Sequence, residues 1–207
     1  MIWPTSDLES ELLARAPIVI GIDEVGRGAV AGPLVVGAAA WTHETVTWPE
    51  WLRDSKTLSV KRREQVAAEL ADTVDIGLGW IDADTIDRIG IVTALAHAAV
   101  RAVDDLARKG VQVQDAHILL DGTHDWLSEH LEHAPQMTVR AKADRDCVSV
   151  AAAACFAKVA RDDYMADLAR LHPHYAWERN RGYGTAAHMA AIAEHGPTGH
   201  HRQTWLH

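Results

Sequence analysis

Pro17-Ile18-Val19-Ile20-Gly21-Ile22-Asp23-Glu24 is an apolar run that stops abruptly on two acids, the pattern of a buried β-strand with charge at its exit. A glycine-rich stretch follows. Leu34 to Trp41 then forms a second apolar, β-compatible run, so the two are expected to pair as adjacent strands. Further along, His117-Ile118-Leu119-Leu120 again ends on an acid, Asp121-Gly122, and Met137, Val139 and Ala141 alternate toward Asp144. Within Thr73 to Ile81, Val74, Ile76, Leu78 and Trp80 give the clearest period-two signal in the chain.

Between these runs the period changes to that of helices. Ser59 ahead of Lys61-Arg62-Arg63-Glu64 and Val66, Ala67, Leu70 predicts a capped helix with a basic face. From Asp82 to Lys109 the apolar residues Ile91, Leu95, Ala99, Ala102, Val103 and Leu106 recur at helical spacing. That predicts one long helix with room for a short one before it, and Gly110 as its C-cap. An alanine-rich helix is expected from about Asp146 to Arg170, closed by Pro173, and a last one from Thr185 to Glu194, stopped by Gly196-Pro197. The order predicts an α/β domain with a mixed central sheet flanked by helices and a helical C-terminal section. The 207 residues are read as a single catalytic domain, with a core over about 17–170 and the helical section over about 171–207.

Composition narrows the function classes. Hydrophobic residues at 48% and charged residues at 24% are ordinary for a globular protein, which excludes a largely disordered chain. The acidic start, MIWPTSDLESELLARAP, does not look like a signal peptide, and no apolar stretch is long enough to span a bilayer. A cytoplasmic protein without membrane contact is the expectation. A net charge of −9 argues against coating nucleic acid by bulk attraction. It leaves room for a nuclease whose carboxylates hold cations, since bound ions reverse the local sign. Cys147 and Cys155 lie in one helical segment, roughly 12 Å apart along its axis, too far for a disulfide. The thirteen histidines show no metal-ligand spacing and are read mostly as surface residues.

Three predicted strands thus end near acids: Asp23-Glu24, Asp121 and Asp144. Side chains at strand ends of an α/β sheet converge on one crevice, and several carboxylates brought together cannot all stay ionised without a cation. Hard oxygen donors suit Mg²⁺ or Mn²⁺ better than zinc. Each acid alone also fits a plain structural part: a turn at Asp121-Gly122, a helix cap at Asp144, a strand end at Asp23-Glu24.

Ordered motifs go further. Gly21-Ile22-Asp23-Glu24-Val25-Gly26-Arg27-Gly28-Ala29-Val30-Ala31-Gly32-Pro33 resembles the signature of type 2 ribonuclease H, the ribonuclease HII family. Matches follow in that family's order at Asp54-Ser55-Lys56-Thr57-Leu58, Leu120-Asp121-Gly122, Lys142-Ala143-Asp144, Ser149 to Ala153, Ala157 to Asp162, Gly182-Tyr183-Gly184-Thr185, and Gly196-Pro197 before His201-Arg202. The resemblance implies an RNase H-like fold with Asp23, Glu24, Asp121 and Asp144 as catalytic, metal-binding carboxylates. It implies a cofactor of Mg²⁺ or Mn²⁺ and two-metal hydrolysis leaving 3′-hydroxyl and 5′-phosphate ends. The implied partners are RNA–DNA hybrids and duplex DNA carrying a ribonucleotide, cut on its 5′ side. Gly26, Arg27 and Gly28 would approach the ribose 2′-hydroxyl, Tyr183 would stack on the adjoining deoxyribose, and Arg53 and Lys56 would contact phosphate.

The sequence departs from the common pattern at Ala29, Ala154 and Thr204-Trp205, none of them a proposed ligand. No clear clamp-binding peptide is visible at the C-terminus, and a monomer is expected. Two rivals stand beside this reading: another two-metal nuclease or nucleotidyl transferase on the same fold, which would not need Gly26-Arg27-Gly28 and Tyr183, and a silent hybrid-binding module, which would gain nothing from four acids near phosphate.

Overall fold

The computed structural model describes residues 3–45, 47–131 and 136–206. Its strands are β1 (Ile18–Val25), β2 (Leu34–Thr42), β3 (Ile76–Ile81), β4 (Ala116–Asp121) and β5 (Gln136–Arg140). They form one mixed sheet in the order β3-β2-β1-β4-β5. The hairpin partners β1–β2 and β2–β3 are antiparallel, whereas β1–β4 and β4–β5 are parallel.

The helices are α1 (Asp7–Leu13), α2 (Val60–Ala71), α3 (Ala83–Ile89), α4 (Ile91–Arg108), α5 (Ala143–Asp146), α6 (Val148–Leu171), α7 (Trp177–Asn180) and α8 (Ala186–His195). Three open on a predicted type of cap: Ser59 accepts the Arg62 N–H, Asp82 that of Thr85 and Thr185 that of His188, each contact worth about 1 kcal/mol. α3 and α4 are separate because Gly90 between them has a φ of 79°. Gly110 ends the long helix as expected, one residue beyond its C-cap Lys109.

Alternation along the strands splits the core. Val19 and Leu119 face α1, α2 and α6, while Ile20, Ile22, Ile118 and Leu120 face α4. A third, smaller cluster joins the end of α6 to α7 and α8 through Met165, Leu168, Tyr175, Trp177 and Ile192. None of the helices among the described residues is long and apolar enough to cross a membrane.

Several expectations change. The acidic N-terminal segment forms α1, whose Leu12 and Leu13 are buried. Burying two leucines stabilises by roughly 1.5–3 kcal/mol each, enough to bring Glu9 inside as well. Glu9 accepts the Ser149 N–H at 2.8 Å and its hydroxyl at 2.7 Å, and burial pushes its carboxyl pKa up. The strand predicted from Met137, Val139 and Ala141 forms as β5 but does not reach Asp144. β5 stops at Arg140, Lys142 turns left-handed at φ 63°, and Asp144 sits in the four-residue α5. Cys147 is the extended residue between α5 and α6 and so lies outside the long helix. Both cysteines are free and buried, and burial pushes each thiol up to about 12.

Candidate active site

Register brings the first two acids together. Ile22 of β1 pairs with Leu120 of β4, so one step further Asp23 and Asp121 fall side by side at the carboxyl ends of parallel strands about 4.8 Å apart. Both share the face of Val19 and Leu119, toward the start of α6. That helix can come so close because Gly21 has no side chain: a Cβ there would fall on the Ser149 backbone. α5, immediately before it, presents Asp144. Glu24 alternates to the other face and borders a cleft of about 400 Å³ with Arg27, Val92, Asp121, His124 and Trp126.

The electrostatics identify these four as one cluster. Asp23 is 8% exposed, and its carboxyl is held well above the usual range, first by burial and then by the charges of Glu24, Asp121 and Asp144. Burial also raises Glu24, against the pull of Arg27, whose guanidinium is 3.5 Å away. Asp121 Oδ1 accepts the Ala143 N–H at 2.6 Å, which ties the β4 terminus to α5. Among the described residues no three His, Cys, Asp or Glu side chains already form a closed metal cage. The four acids share a field without coordinating a common point. Their donor chemistry nevertheless fits a hard divalent cation: every donor is a carboxylate oxygen, and one of them is buried among like charges.

Beside the acids, the backbone from Gly26 to Pro33 is held by two buried arginines. Arg202 donates to the carbonyls of Gly26 at 2.6 Å, Arg27 at 2.7 Å and Gly32 at 3.3 Å. Arg161 donates to Pro33 at 2.8 Å, Ala31 at 3.2 Å and Arg181 at 2.8 Å. Both are fully buried, and burial lowers both, Arg202 to about 10. A left-handed φ of 83° at Gly26, with the Arg161 guanidinium where a Cβ would stand, admits glycine alone without strain. Arg27 and Gly28 are left exposed, and nothing lies within 4 Å of the Gly28 Cβ position.

Tyr183 belongs to the same assembly. The Gly182 carbonyl accepts the N–H groups of Val30 at 2.9 Å and Ala31 at 3.0 Å, so the 180–185 loop is stitched to the 26–33 loop. The Tyr183 ring, 37% exposed, has the Arg161 guanidinium 5.7 Å from its centroid. Arg53 lies against the paired rings of Trp3 and Trp51, 5.1 and 5.8 Å from their centroids, with Arg62 on Trp51 at 4.4 Å. Lys56 lies in the short 3-10 turn Ser55–Thr57, and its side chain is outside the described residues. Lys158 pairs with Asp162 at 2.6 Å, and Asp162 also meets Arg63 at 3.3 Å.

Arg161 and Arg202 are the functional residues that motif reading passed over as individuals. A signal for the first existed. Val150, Ala154, Ala157, Arg161, Met165 and Leu168 are all buried on one helical stripe of α6, so Arg161 is a charge on an apolar face, which demands partners. For Arg202, in a tail without periodicity, only the fold supplies the reason. The departures from the common pattern are accommodated: Ala29 donates its N–H to Gly26 at 3.2 Å, the Thr204 hydroxyl donates to Asp87 at 2.6 Å, and Trp205 packs 4.8 Å from the Arg202 guanidinium.

Comparison with known proteins shows the family and the fold. A family model described as Ribonuclease HII matches residues 20–207. A Ribonuclease HII of Streptomyces avermitilis is 42% identical over 207 residues, covering 99% of this chain and 84% of that protein. The crystal structure of the ribonuclease H2 from Pyrococcus horikoshii superposes with a TM-score of 0.73 at 24% identity, over 91% of this chain and 93% of the other. A Bst-RNase HIII structure in complex with Mn²⁺ superposes at 0.65 and 22% identity, over 92% of this chain and 66% of the other.

Proposed function

Because the chain belongs to the ribonuclease HII family, hydrolases that cut the RNA of RNA–DNA hybrids, we propose that it also nicks duplex DNA 5′ to a single embedded ribonucleotide, with divalent ions held by Asp23, Glu24, Asp121 and Asp144. The observation that carries this is the buried Asp23 carboxyl under the combined charge of the other three acids, directly beside a glycine loop whose backbone is locked in place. Bound there, Mg²⁺ or Mn²⁺ would supply an activated water and neutralise the leaving 3′-oxygen, giving 3′-hydroxyl and 5′-phosphate ends. A structural relative determined with Mn²⁺ supports a divalent cofactor.

The chain's own residues do the positioning. Arg202 and Arg161 occupy the carbonyls of Gly26, Arg27, Ala31, Gly32 and Pro33, so the exposed N–H groups of Arg27 and Gly28 remain for the substrate. Gly28 leaves room for a sugar edge, where the 2′-hydroxyl distinguishes RNA from DNA. Tyr183, backed by Arg161, offers a flat face to the next sugar. Arg53 and Lys56 are proposed to meet phosphate along the flanking duplex.

The direct test is cleavage of a duplex carrying one ribonucleotide, with and without Mg²⁺. A single metal-dependent nick 5′ to the ribonucleotide is expected, and no nick in the presence of metal would refute the proposal. A second test reads the site without turnover. Asp23 has a folded pKa above its unfolded value, so its ionisation costs stability at neutral pH, and that cost is relieved as pH falls through the folded pKa. Asp23→Asn should therefore melt higher than the parent when both are chelator-treated at pH 7.5. Mg²⁺ or Mn²⁺ at ten times the dissociation constant should stabilise the parent by about 1.4 kcal/mol and so raise its melting point, and raise that of the variant much less. Equal metal-induced shifts in the two proteins would remove Asp23 from the ligand set.

A further inference from the structure

We infer that His188 is a positioning residue for Tyr183, acting through a neutral histidine pair with His201 that fixes which nitrogen of each ring carries its proton. The Thr198 N–H donates to His201 Nδ1 at 2.9 Å, so the His201 proton is on Nε2. That nitrogen faces His188 Nε2 at 3.2 Å, and the Trp177 indole N–H also donates to His188 Nε2, at 2.9 Å. With two donors converging on Nε2, the His188 proton must be on Nδ1. Nδ1 lies 3.0 Å from the Tyr183 carbonyl oxygen and donates to it. The same oxygen accepts the Thr185 N–H at 2.8 Å, so the peptide that carries Tyr183 is held from two directions.

A proton added to either ring would set two N–H groups against each other in a site where both rings are at most 1% exposed. Among the described residues, the groups facing the pair offer no counter-charge. Tyr175 stands edge-on to His201 at 4.8 Å with its hydroxyl donating to the Gly196 carbonyl, and Trp177 separates the pair from His172 and His200, whose own charge would oppose protonation. Burial accordingly lowers both rings, His201 to about 4. A ring locked in advance loses less freedom when substrate arrives.

The inference deepens the reading of Tyr183 as the sugar-sensing face and rests on it for its effect on specificity. Three measurements on the full chain test it. In the parent protein, imidazole nitrogen resonances should show His188 neutral with its proton on Nδ1, and His201 neutral with its proton on Nε2, from pH 5.5 to 8. Titration of His188 near the ordinary histidine value overturns the inference. Next, His188→Asn keeps an amide N–H where Nδ1 stood, whereas His188→Gln keeps one only where Nε2 stood. The Tyr183 ring resonances should stay near parental in the Asn variant and move in the Gln variant; an unmoved ring in the Gln variant overturns the positioning role. Finally, the preference for a single-ribonucleotide duplex over a continuous RNA strand should fall at least about fivefold in the Gln variant, the low end of losing one stacked contact, and less in the Asn variant. Equal falls in both variants would assign His188 to general folding. Tyr183→Ala run alongside separates the two ideas: if its preference is unchanged, the sugar-sensing reading fails, while the ring resonances still decide whether His188 positions Tyr183.

Discussion

Asp121→Asn is expected to lower cleavage by at least on the order of 10²- to 10³-fold, the scale on which a single group acting on transition-state charge operates. Duplex binding should be retained. The substitution keeps the shape of the side chain, and its amide oxygen can still accept the Ala143 N–H that joins the end of β4 to α5. What it removes is one negative charge beside Asp23, which already carries the repulsion of three neighbours. Phosphate therefore meets less repulsion, and binding should tighten slightly, while the hold on cations weakens. Melting temperature checks that the fold survives. Near-parental turnover at ordinary Mg²⁺ would break the four-carboxylate assignment.

Tyr183→Ala should cost roughly 5- to 150-fold on a duplex with one ribonucleotide, the range corresponding to about 1 to 3 kcal/mol for a stacked contact. On a continuous RNA strand the loss should be smaller, because no deoxyribose follows the scissile site there. The residue is 37% exposed, with the Arg161 guanidinium 5.7 Å from its ring centroid, so removing the ring need not collapse the loop: the Gly182 carbonyl still holds Val30 and Ala31 through backbone atoms alone. Parallel initial rates on the two substrates decide the matter. Equal losses would mean that Tyr183 supports the loop and that the junction is read elsewhere.

How much of this was legible beforehand follows from the range of each interaction. The strands ending in Asp23-Glu24 and at Asp121, the cap Ser59, and the long helices were visible because they are set by alternation, helical period and caps within a few residues. The four acids could be named because the ordered motifs resemble those of one family. Other features were hidden because their causes lie far away in sequence. α1 is polar by composition and buries only the face of Glu9, Leu12 and Leu13, with Glu9 meeting Ser149 at the start of α6, 140 residues away. His188 and His201 are buried because the Trp177 indole, the Tyr183 carbonyl and the Thr198 N–H engage their ring nitrogens, and His117 is buried with its Nε2 on the Thr138 hydroxyl.

The sequence by itself therefore determined the fold class and the family and led to the proposed chemistry of the site, all of which rest on local patterning and on residue identities in order. Only the tertiary structure decided how the site is held: the β1–β4 register that sets Asp23 beside Asp121, the short helix that carries Asp144, and Arg161 and Arg202 reaching 128 and 176 residues back along the chain to the carbonyls of Pro33 and Gly26. The reason is physical. A buried guanidinium or carboxyl costs stability unless partners satisfy it, and such partners are chosen by which surfaces pack together, something no window of neighbouring residues records.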